Sequence, residues 1–317
     1  MSGKVRWRYA RVLRGSALLA VLCALLLAGG YYVWELRSIA SHLADGDPVR
    51  GVYQQDPQRA DRTASVALDG IVREVPEPPM DGQAFLGGGG SVGRRSEGLR
   101  PSDPLEARPA APEPAIGALF SPGQDGDPDH HCSAAVVHSP RGDLIVTAAH
   151  CVYVGGFRTN LAFAPGYRDG VAPYGIWVPT RIDVDPRWTD DEDPDHDVAF
   201  LHLRRPGYPG QRLEDVTGAR TIAFRPELPA PARVVGYPND TEEPVECRNT
   251  AVAAGPTQLR LDCADVPNGT SGGPLLTDGS TLIGVVGGRD GGGDDETSYS
   301  SHFGDAVRAL YERATQP

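Results

Sequence analysis

The sequence predicts an all-β domain, a barrel or a sandwich, in the C-terminal two thirds of the chain. Short apolar runs alternate there with turns rich in Gly, Pro and Asp, and such alternation predicts many short strands. The runs are 116–120, 133–137, 144–147, 198–203, 232–235, 259–261, 275–276 and 282–286. Apolar residues at helical spacing within 304–314 predict a terminal helix after the last strand.

An apolar run near the N-terminus predicts a single transmembrane anchor over residues 15–36. Its apolar part, Ser16–Trp34, is nearly long enough to cross a hydrocarbon core of ~30 Å at ~1.5 Å per residue. Residues 1–14 carry only basic charges, which predicts a cytoplasmic N-terminus. A cleaved secretory signal is the alternative, because Ala17–Ala28 has the length of a signal peptide. Both interpretations place the rest of the chain outside the cytoplasm.

Residues 37–115 are predicted to form a flexible linker. The segment contains Pro76-Glu77-Pro78-Pro79, four glycines at 87–90 and a Pro/Ala-rich stretch from Pro101 to Pro114, and this composition favours an extended or flexible chain. A stalk above the membrane is one interpretation, and a removable pro-segment is the other. Exposed flexible segments are common sites of proteolysis, and Arg94, Arg95 and Arg100 are candidate cleavage positions in this segment.

Two distant motifs indicate nucleophilic catalysis. Ser271 lies in the glycine-rich turn Gly269–Pro274, and His150 follows an apolar strand in Leu144–Cys151. A serine hydroxyl needs a base to remove its proton, while the N–H groups of a glycine turn can bind a developing oxyanion. Asp197, which opens the next apolar run, is the candidate for the acid that orients the histidine. Taken alone, the glycine turn is also compatible with a plain surface turn.

The order His150, Asp197, Ser271 and the sequences around these residues resemble the chymotrypsin/trypsin-like serine peptidases. In that family the motifs read TAAHC, D-[IV]-A-L-L and G-[DN]-S-G-G-P. The overall look is closest to bacterial members, actinobacterial and glutamyl-endopeptidase-like. The resemblance covers residues 116–317 and implies two six-stranded antiparallel barrels with the three residues in the cleft between them. It also implies that the terminal helix packs on the second barrel.

The resemblance assigns each residue a role in a serine endopeptidase. His150 acts as general base and then as general acid, and Asp197 fixes its tautomer. Ser271 is the acylated nucleophile, and the N–H groups of Gly269 and Ser271 form the oxyanion hole. The expected substrates are peptides or proteins, and no cofactor or metal is expected. A catalytically silent domain that binds peptides or envelope partners is the alternative.

The same resemblance gives two further expectations near the nucleophile. Asp265, six positions before Ser271, would line the base of the primary substrate pocket and favour Arg or Lys. Glutamyl-endopeptidase-like members instead place a histidine in the strand after the nucleophile, and residues 282–288 contain none. In the trypsin branch a freed N-terminus pairs with an acid just before the nucleophile. Thr270 occupies that position here, so activity is expected without such a step.

A rival motif and an acidic run remain to be considered. Residues 269–273 also fit G-x-S-x-G, but α/β-hydrolases need an acid and a histidine after the serine, and only His302 follows Ser271. The acidic run before Asp197 is interpreted as a solvated loop, with a calcium site as the alternative. Its members are Asp190, Asp191, Glu192, Asp193 and Asp195.

Charge and cysteines agree with export. The chain of 317 residues has a net charge of −12, and its five N-terminal cations would stay in the cytoplasm, so the exported part is more acidic still. An acidic surface argues against nucleic acid or anionic lipid as a partner. Four of the five cysteines follow the anchor, and four cysteines permit three connectivities. The resemblance implies a Cys132–Cys151 disulfide, which leaves Cys247–Cys263, whereas Cys23 lies in the apolar run.

Overall fold

In the computed structural model of the chain, the described residues are 23–27, 29–30, 42–70, 73–74, 99–121 and 130–316. The chain divides into two units, Met1–Leu43 and Ala44–Pro317. In the first unit, residues 23–27 and 29–30 are helical and exposed. The predicted anchor over 15–36 falls mostly outside the described residues, and the basic segment 1–14 falls wholly outside them. No helix within the described ranges has the length and apolar character needed to cross a membrane.

Strands dominate the second unit. Numbered in chain order, the strands are β1 (Leu43–Ala44), β2 (Val52–Gln54), β3 (Arg73–Glu74), β4 (Arg108–Pro109), β5 (Ile116–Phe120), β6 (His130–Val137), β7 (Leu144–Thr147), β8 (Phe157–Arg158), β9 (Ala162–Pro165), β10 (Val171–Ala172), β11 (Val178–Val184), β12 (Ala199–Arg204), β13 (Thr221–Ile222), β14 (Ala230–Gly236), β15 (Val245–Ala253), β16 (Gln258–Asp262), β17 (Pro274–Thr277), β18 (Thr281–Val285) and β19 (Thr297–Ser301). The helices of this unit are α1 (Pro57–Gly70), α2 (Pro186–Asp191), α3 (Leu213–Thr217) and α4 (Asp305–Ala314). This confirms the predicted all-β class with a C-terminal helix.

The first sheet has the strand order β2-β11-β12-β7-β6-β5-β9, with antiparallel neighbours. Six of its strands form a closed ring, because Phe163 of β9 and Trp177, just before β11, exchange backbone hydrogen bonds of 2.8 and 2.9 Å. One side chain from each of these strands is buried in a common apolar cluster: Leu119, Val136, Ile145, Phe163, Ile182 and Leu201. The seventh strand, β2, lies outside this ring as an addition to β11.

The second sheet has the order β13-β18-β17-β14-β15-β16-β19, and β4 pairs with β15. Here too six strands form a closed ring, since the N–H of Gly287, after β18, donates to the Tyr299 carbonyl of β19 over 3.0 Å. A separate apolar cluster fills this ring and includes Val234, Leu261 and Leu275. The sheets therefore contain seven and eight strands rather than six each, because β2, β4 and β13 join from outside the rings.

The predicted flexible linker over 37–115 differs from the structure in its described parts. Asp56 caps α1 by accepting the Arg59 N–H over 2.8 Å, and Pro57 suits the first turn of the helix. The helix buries Ala60, Ala64 and Ala67, three small residues at helical spacing. Strands β2 and β4 extend the two sheets at β11 and β15. The linker prediction rested on Pro and Gly content and overlooked these alanines. Residues 44–70 and 99–115 therefore belong to the folded unit.

The terminal helix was expected on the second barrel, but α4 packs on the first sheet. The Tyr311 ring lies 5.6 Å from the ring of Phe200 on β12, centroid to centroid. His202, also on β12, contacts the Ala314 carbonyl over 2.7 Å, and the carbonyl must be the acceptor. Arg313 donates to the Val184 carbonyl of β11 over 2.7 Å. Helical spacing predicts that a face is buried without specifying which sheet covers it.

The packing of α1, β2 and β4 leads to a stability prediction. We expect a fragment of residues 116–317 to unfold at least about 5 °C below a fragment of 44–317, since a loss of 1 kcal/mol shifts Tm by ~2–4 °C in a domain of this size. Thermal unfolding followed by circular dichroism measures the difference. A fragment of 99–317 separates the contribution of β4 from that of α1 and β2. Equal Tm values for the 116–317 and 44–317 fragments would contradict the placement of residues 44–70 and 99–115 in the folded unit.

Candidate active site

His150 lies in a short 3₁₀ turn, Ala149–Cys151, directly after strand β7. The turn is tied to the neighbouring strand β6 by the Cys132–Cys151 disulfide. The histidine side chain is 27% exposed and its ring lies beside that of Trp188, with centroids 6.4 Å apart. The imidazole therefore has a fixed backbone and an open side toward solvent.

Asp197 is fully buried and holds His150 by two separate bonds, one to the ring and one to the backbone. One carboxylate oxygen contacts His150 Nδ1 over 2.7 Å, and the other accepts the His150 backbone N–H over 2.9 Å. Gly288 donates its N–H to the same carboxylate over 2.7 Å. A carboxylate surrounded by donors places the imidazole proton on Nδ1, which leaves Nε2 as an acceptor. This is the tautomer that a general base requires.

The nucleophile loop is pressed against the first sheet. The Ser271 carbonyl accepts the Ser133 N–H over 2.7 Å, and Gly272 has a φ of +78°. A Cβ at Gly272 would clash with the Thr147 hydroxyl, so only glycine fits here. Since Thr147 ends the strand that leads to His150, this contact brings the loop to the histidine side of the cleft.

The Ser271 hydroxyl has no hydrogen-bond partner within the described part of the chain. The side chain is partly exposed, and the contact between nucleophile and base is often long in enzymes without substrate. The bond between Ser271 Oγ and His150 Nε2 therefore stays a prediction, whereas the bond between His150 and Asp197 is formed.

Two backbone N–H groups of the nucleophile loop, those of Gly269 and Ser271, point away from the hydrogen bonds made by the preceding carbonyls. The Asn268 carbonyl accepts from the Asn239 N–H over 2.9 Å, and the Thr270 carbonyl accepts from the Gly273 N–H over 2.8 Å. Because C=O and N–H point in opposite directions across a trans peptide, the next N–H groups, of Gly269 and Ser271, point away from these contacts. Within the described ranges neither N–H has an acceptor. This is the pair that the sequence predicts as the oxyanion hole.

Three residues that contribute to the geometry carry no signal in the sequence. Gly288 donates to Asp197, and the Ser301 hydroxyl accepts the Asp197 N–H over 3.1 Å. Ser133 contacts the nucleophile loop through its N–H and its side chain. Strand pairing brings these residues to the site from distant positions, and their local sequences look like ordinary strands and turns.

Asp265 and Thr270, the two other residues that the sequence singled out near the nucleophile, differ in burial. Asp265 is exposed with a φ of +56°, a position that differs from the buried base of a substrate pocket. Thr270 is buried, and its hydroxyl donates to the Pro267 carbonyl of the same loop over 2.7 Å. The threonine is thus satisfied locally, without a partner from another element.

Both disulfides that the sequence predicts are present, Cys132–Cys151 and Cys247–Cys263. The sulfur atoms of the first bridge lie within 4.8 Å of a His150 ring nitrogen. These sulfurs are bonded to each other, so they are not the thiolates that bind metals.

The acidic run before Asp197 has structural contacts. Asp193 caps a 3₁₀ turn by accepting the Asp195 N–H over 3.0 Å, and Asp195 accepts from the Gln258 amide over 2.8 Å. Residues 190–192 are exposed. The acidic residues of the run are therefore exposed only at 190–192, and the run is the end of α2 and a 3₁₀ turn and not an open loop.

The two closed sheets and the site between them define a chymotrypsin-like serine peptidase fold. Residues 132–285, which include all three candidate catalytic residues, match the family model described as a trypsin-like peptidase domain. The chain accordingly contains a trypsin-like peptidase domain, and its fold is that of the chymotrypsin-like serine proteases. This confirms the resemblance found in the sequence.

Solved structures of bacterial proteases are similar to this chain. The protease Anisep from Arthrobacter nicotinovorans shares 25% identity at a TM-score of 0.58, over 66% of this chain and 99% of that one. The thermostable serine protease AL20 from an extremophilic microorganism shares 28% identity at a TM-score of 0.57, over 64% and 97%. A Glu endopeptidase shares the fold at 18% identity and a TM-score of 0.55, over 66% and 96%. No curated protein sequence matches the chain significantly.

A half-buried histidine beside the site, His131, gives a pH prediction. Burial, with the positive charge of Arg158 nearby, lowers the pKa of His131 from 6.5 to about 4. Between these pH values His131 is protonated in the unfolded chain and neutral in the folded chain. The free energy of unfolding is therefore highest above pH ~6.5 and falls as the pH drops toward ~4. We expect His131→Gln to remove about 1–3 kcal/mol of this acid destabilisation.

Urea unfolding of the wild type and His131→Gln between pH 4 and pH 8 measures the effect. The difference in the free energy of unfolding between the two proteins should change over the acid half of this range and stay constant above pH ~7. A difference that is independent of pH would contradict the prediction.

Proposed function

We propose that the protein is a serine endopeptidase that hydrolyses peptide bonds through a Ser271–His150–Asp197 triad and an acyl-enzyme. The observation that carries the proposal is the buried Asp197 carboxylate bonded to His150 Nδ1 over 2.7 Å, beside a glycine loop with two free N–H groups. The match to a trypsin-like peptidase domain supports it.

Acylation uses the serine, the histidine and the two N–H groups of the loop. Ser271 Oγ attacks the carbonyl carbon of the substrate while His150 Nε2 accepts the hydroxyl proton. The carbonyl oxygen becomes an oxyanion and accepts hydrogen bonds from the Gly269 and Ser271 N–H groups. The C–N bond then breaks as His150 returns the proton to the leaving amine, which leaves an ester on Ser271.

Deacylation repeats the sequence with water as the nucleophile. His150 accepts a proton from water, the hydroxide attacks the ester, and the proton returns to Ser271 Oγ as the acid product leaves. Asp197 stays ionised and stabilises the imidazolium in both halves. Its three N–H donors hold it in place, so it does not need to reorganise during the reaction.

We further propose that the enzyme is active without insertion of a new N-terminus. The position before the nucleophile is Thr270, whose hydroxyl is bonded to Pro267 within the loop. It offers no carboxylate to an ammonium group. The Gly269 and Ser271 N–H groups have no acceptor among the described residues, so they are available to a substrate.

A fluorophosphonate probe tests the catalytic proposal. We expect the wild type to be labelled covalently and Ser271→Ala to be unlabelled, because the probe reacts only with an activated serine. Ser280→Ala, which changes an exposed turn serine, is the matched control and should label like the wild type. Ser271→Ala should retain no more than the ~10³–10⁴-fold advantage over water that binding and the oxyanion hole provide. A folded wild type without labelling would favour the catalytically silent binding domain.

We also propose that the peptidase domain is exported and anchored through residues 15–36. The support is the pair of disulfides, which persist in oxidising compartments, together with the basic prefix and the apolar run of the sequence. On this proposal the catalytic domain faces the extracellular side and residues 1–14 remain in the cytoplasm.

Fractionation and protease accessibility of whole cells test the location. The full chain should sediment with membranes, and protease added outside intact cells should remove the domain. Trapping of free thiols before lysis should leave the four cysteines of the domain unmodified. A soluble extracellular domain would support the cleaved-signal alternative, and a cytosolic protein with reduced cysteines would overturn export altogether.

A further inference from the structure

We infer that Ser133 is a positioning residue for the oxyanion hole and that its hydroxyl holds the nucleophile loop in its reactive conformation. The inference rests on the proposed peptidase function. It concerns a residue of strand β6 that lies 138 positions before Ser271 in the chain and belongs to the first sheet, whereas the loop belongs to the second.

The Ser133 hydroxyl is fully buried and bonds two backbone groups of the second sheet. It donates to the Gly269 carbonyl over 3.0 Å and accepts the Tyr237 N–H over 2.7 Å. Gly269 and Tyr237 are buried as well, so each group depends on this hydroxyl for a polar partner there. One side chain thus satisfies a donor and an acceptor at once.

The backbone of Ser133 strengthens the same contact. Its N–H donates to the Ser271 carbonyl over 2.7 Å, and its carbonyl accepts the Thr147 hydroxyl over 2.8 Å. Ser133 therefore bonds the loop at residues 269 and 271. These are the two residues whose N–H groups form the proposed oxyanion hole.

Within the described residues, the other hydrogen bonds near this point fix the Asn268 and Thr270 carbonyls, and none of them reaches the Gly269 carbonyl. The Thr270 hydroxyl bonds within the loop to Pro267, so it does not connect the loop to another element. Gly269 has a φ of +95°, in the region where a backbone without Cβ rotates most freely. A fixed Gly269 carbonyl restricts this rotation and thereby the direction of the neighbouring N–H groups.

The expected effect of losing the hydroxyl is on the transition state. Oxyanion-hole donors act on charge that develops only during the reaction, so their misplacement lowers kcat and leaves substrate binding nearly unchanged. Removal of a whole donor costs ~10²–10³ in kcat. We expect Ser133→Ala to lower kcat by about 10–100-fold, with KM within about threefold of the wild type.

A steady-state comparison of Ser133→Ala with the wild type tests the inference, with enzyme concentrations taken from the end point of fluorophosphonate labelling. The affinity of a peptide boronate, which forms a tetrahedral adduct, should fall in parallel with kcat/KM. Ser133→Thr keeps the hydroxyl and should restore kcat to within about threefold. A purely structural role would not give this combination of kcat loss, boronate loss and rescue.

Ser139→Ala is the matched control, because it removes a buried hydroxyl that accepts the Gly142 N–H over 3.0 Å just beyond the end of β6. It should leave kcat and boronate affinity unchanged. If Ser133→Ala does not fold, Ser133→Cys replaces it with a similar volume and weaker hydrogen bonds, and the same selective loss of kcat is expected.

The outcomes separate the two proposals. A Ser133→Ala or Ser133→Cys enzyme with kcat within twofold of an active wild type overturns the role of Ser133 and leaves the peptidase function intact. A loss confined to KM, or one that Ser133→Thr does not reverse, also overturns it. A folded wild type that is neither labelled nor active refutes the peptidase function itself.

Discussion

The site depends on one buried charge. Asp197 is fully buried, and a carboxylate in that position is stable only when donors surround it. Its donors come from both sheets, since His150 belongs to the first and Gly288 follows a strand of the second. The carboxylate therefore orients the imidazole and holds the sheets together at the cleft. Loss of either sheet would leave the charge with too few partners.

Close approach of the two sheets at this point requires small residues. Gly272 lies against Thr147, and Gly287 has its Cα so near the Asp197 carboxylate that a Cβ would clash with it. Ser133 fills the remaining gap with a hydroxyl that bonds the Gly269 carbonyl. A side chain at Gly272 would push the nucleophile loop away from the first sheet, and one at Gly287 would displace the Asp197 carboxylate. The glycines of the nucleophile motif thus serve packing between the sheets as much as backbone freedom at the serine.

The fold class could be predicted from local apolar runs and turns, and the two disulfides from the family resemblance, which rests on the motifs around His150, Asp197 and Ser271. Ser133 and Gly288 could not be predicted, since their roles come from strand register, which brings residues far apart in the chain together. The alanine face of α1 was missed because Pro and Gly dominate the surrounding composition. The helical spacing in α4 predicted a buried face, but the partner was set by His202 and Phe200 on β12.

The Cys132–Cys151 disulfide connects the strand of Ser133 to the turn of His150. Cys132 directly precedes Ser133, which holds the nucleophile loop, and Cys151 directly follows His150. The bridge spans 19 positions, and closing a loop of that size stabilises a folded domain by about 3 kcal/mol in the chain-entropy description. This disulfide fixes both the strand of Ser133, which holds the nucleophile loop, and the turn that carries His150. It therefore constrains the positions of both the nucleophile and the base. An oxidising compartment, which keeps this bond intact, is therefore a condition for the geometry of the site as well as for its stability.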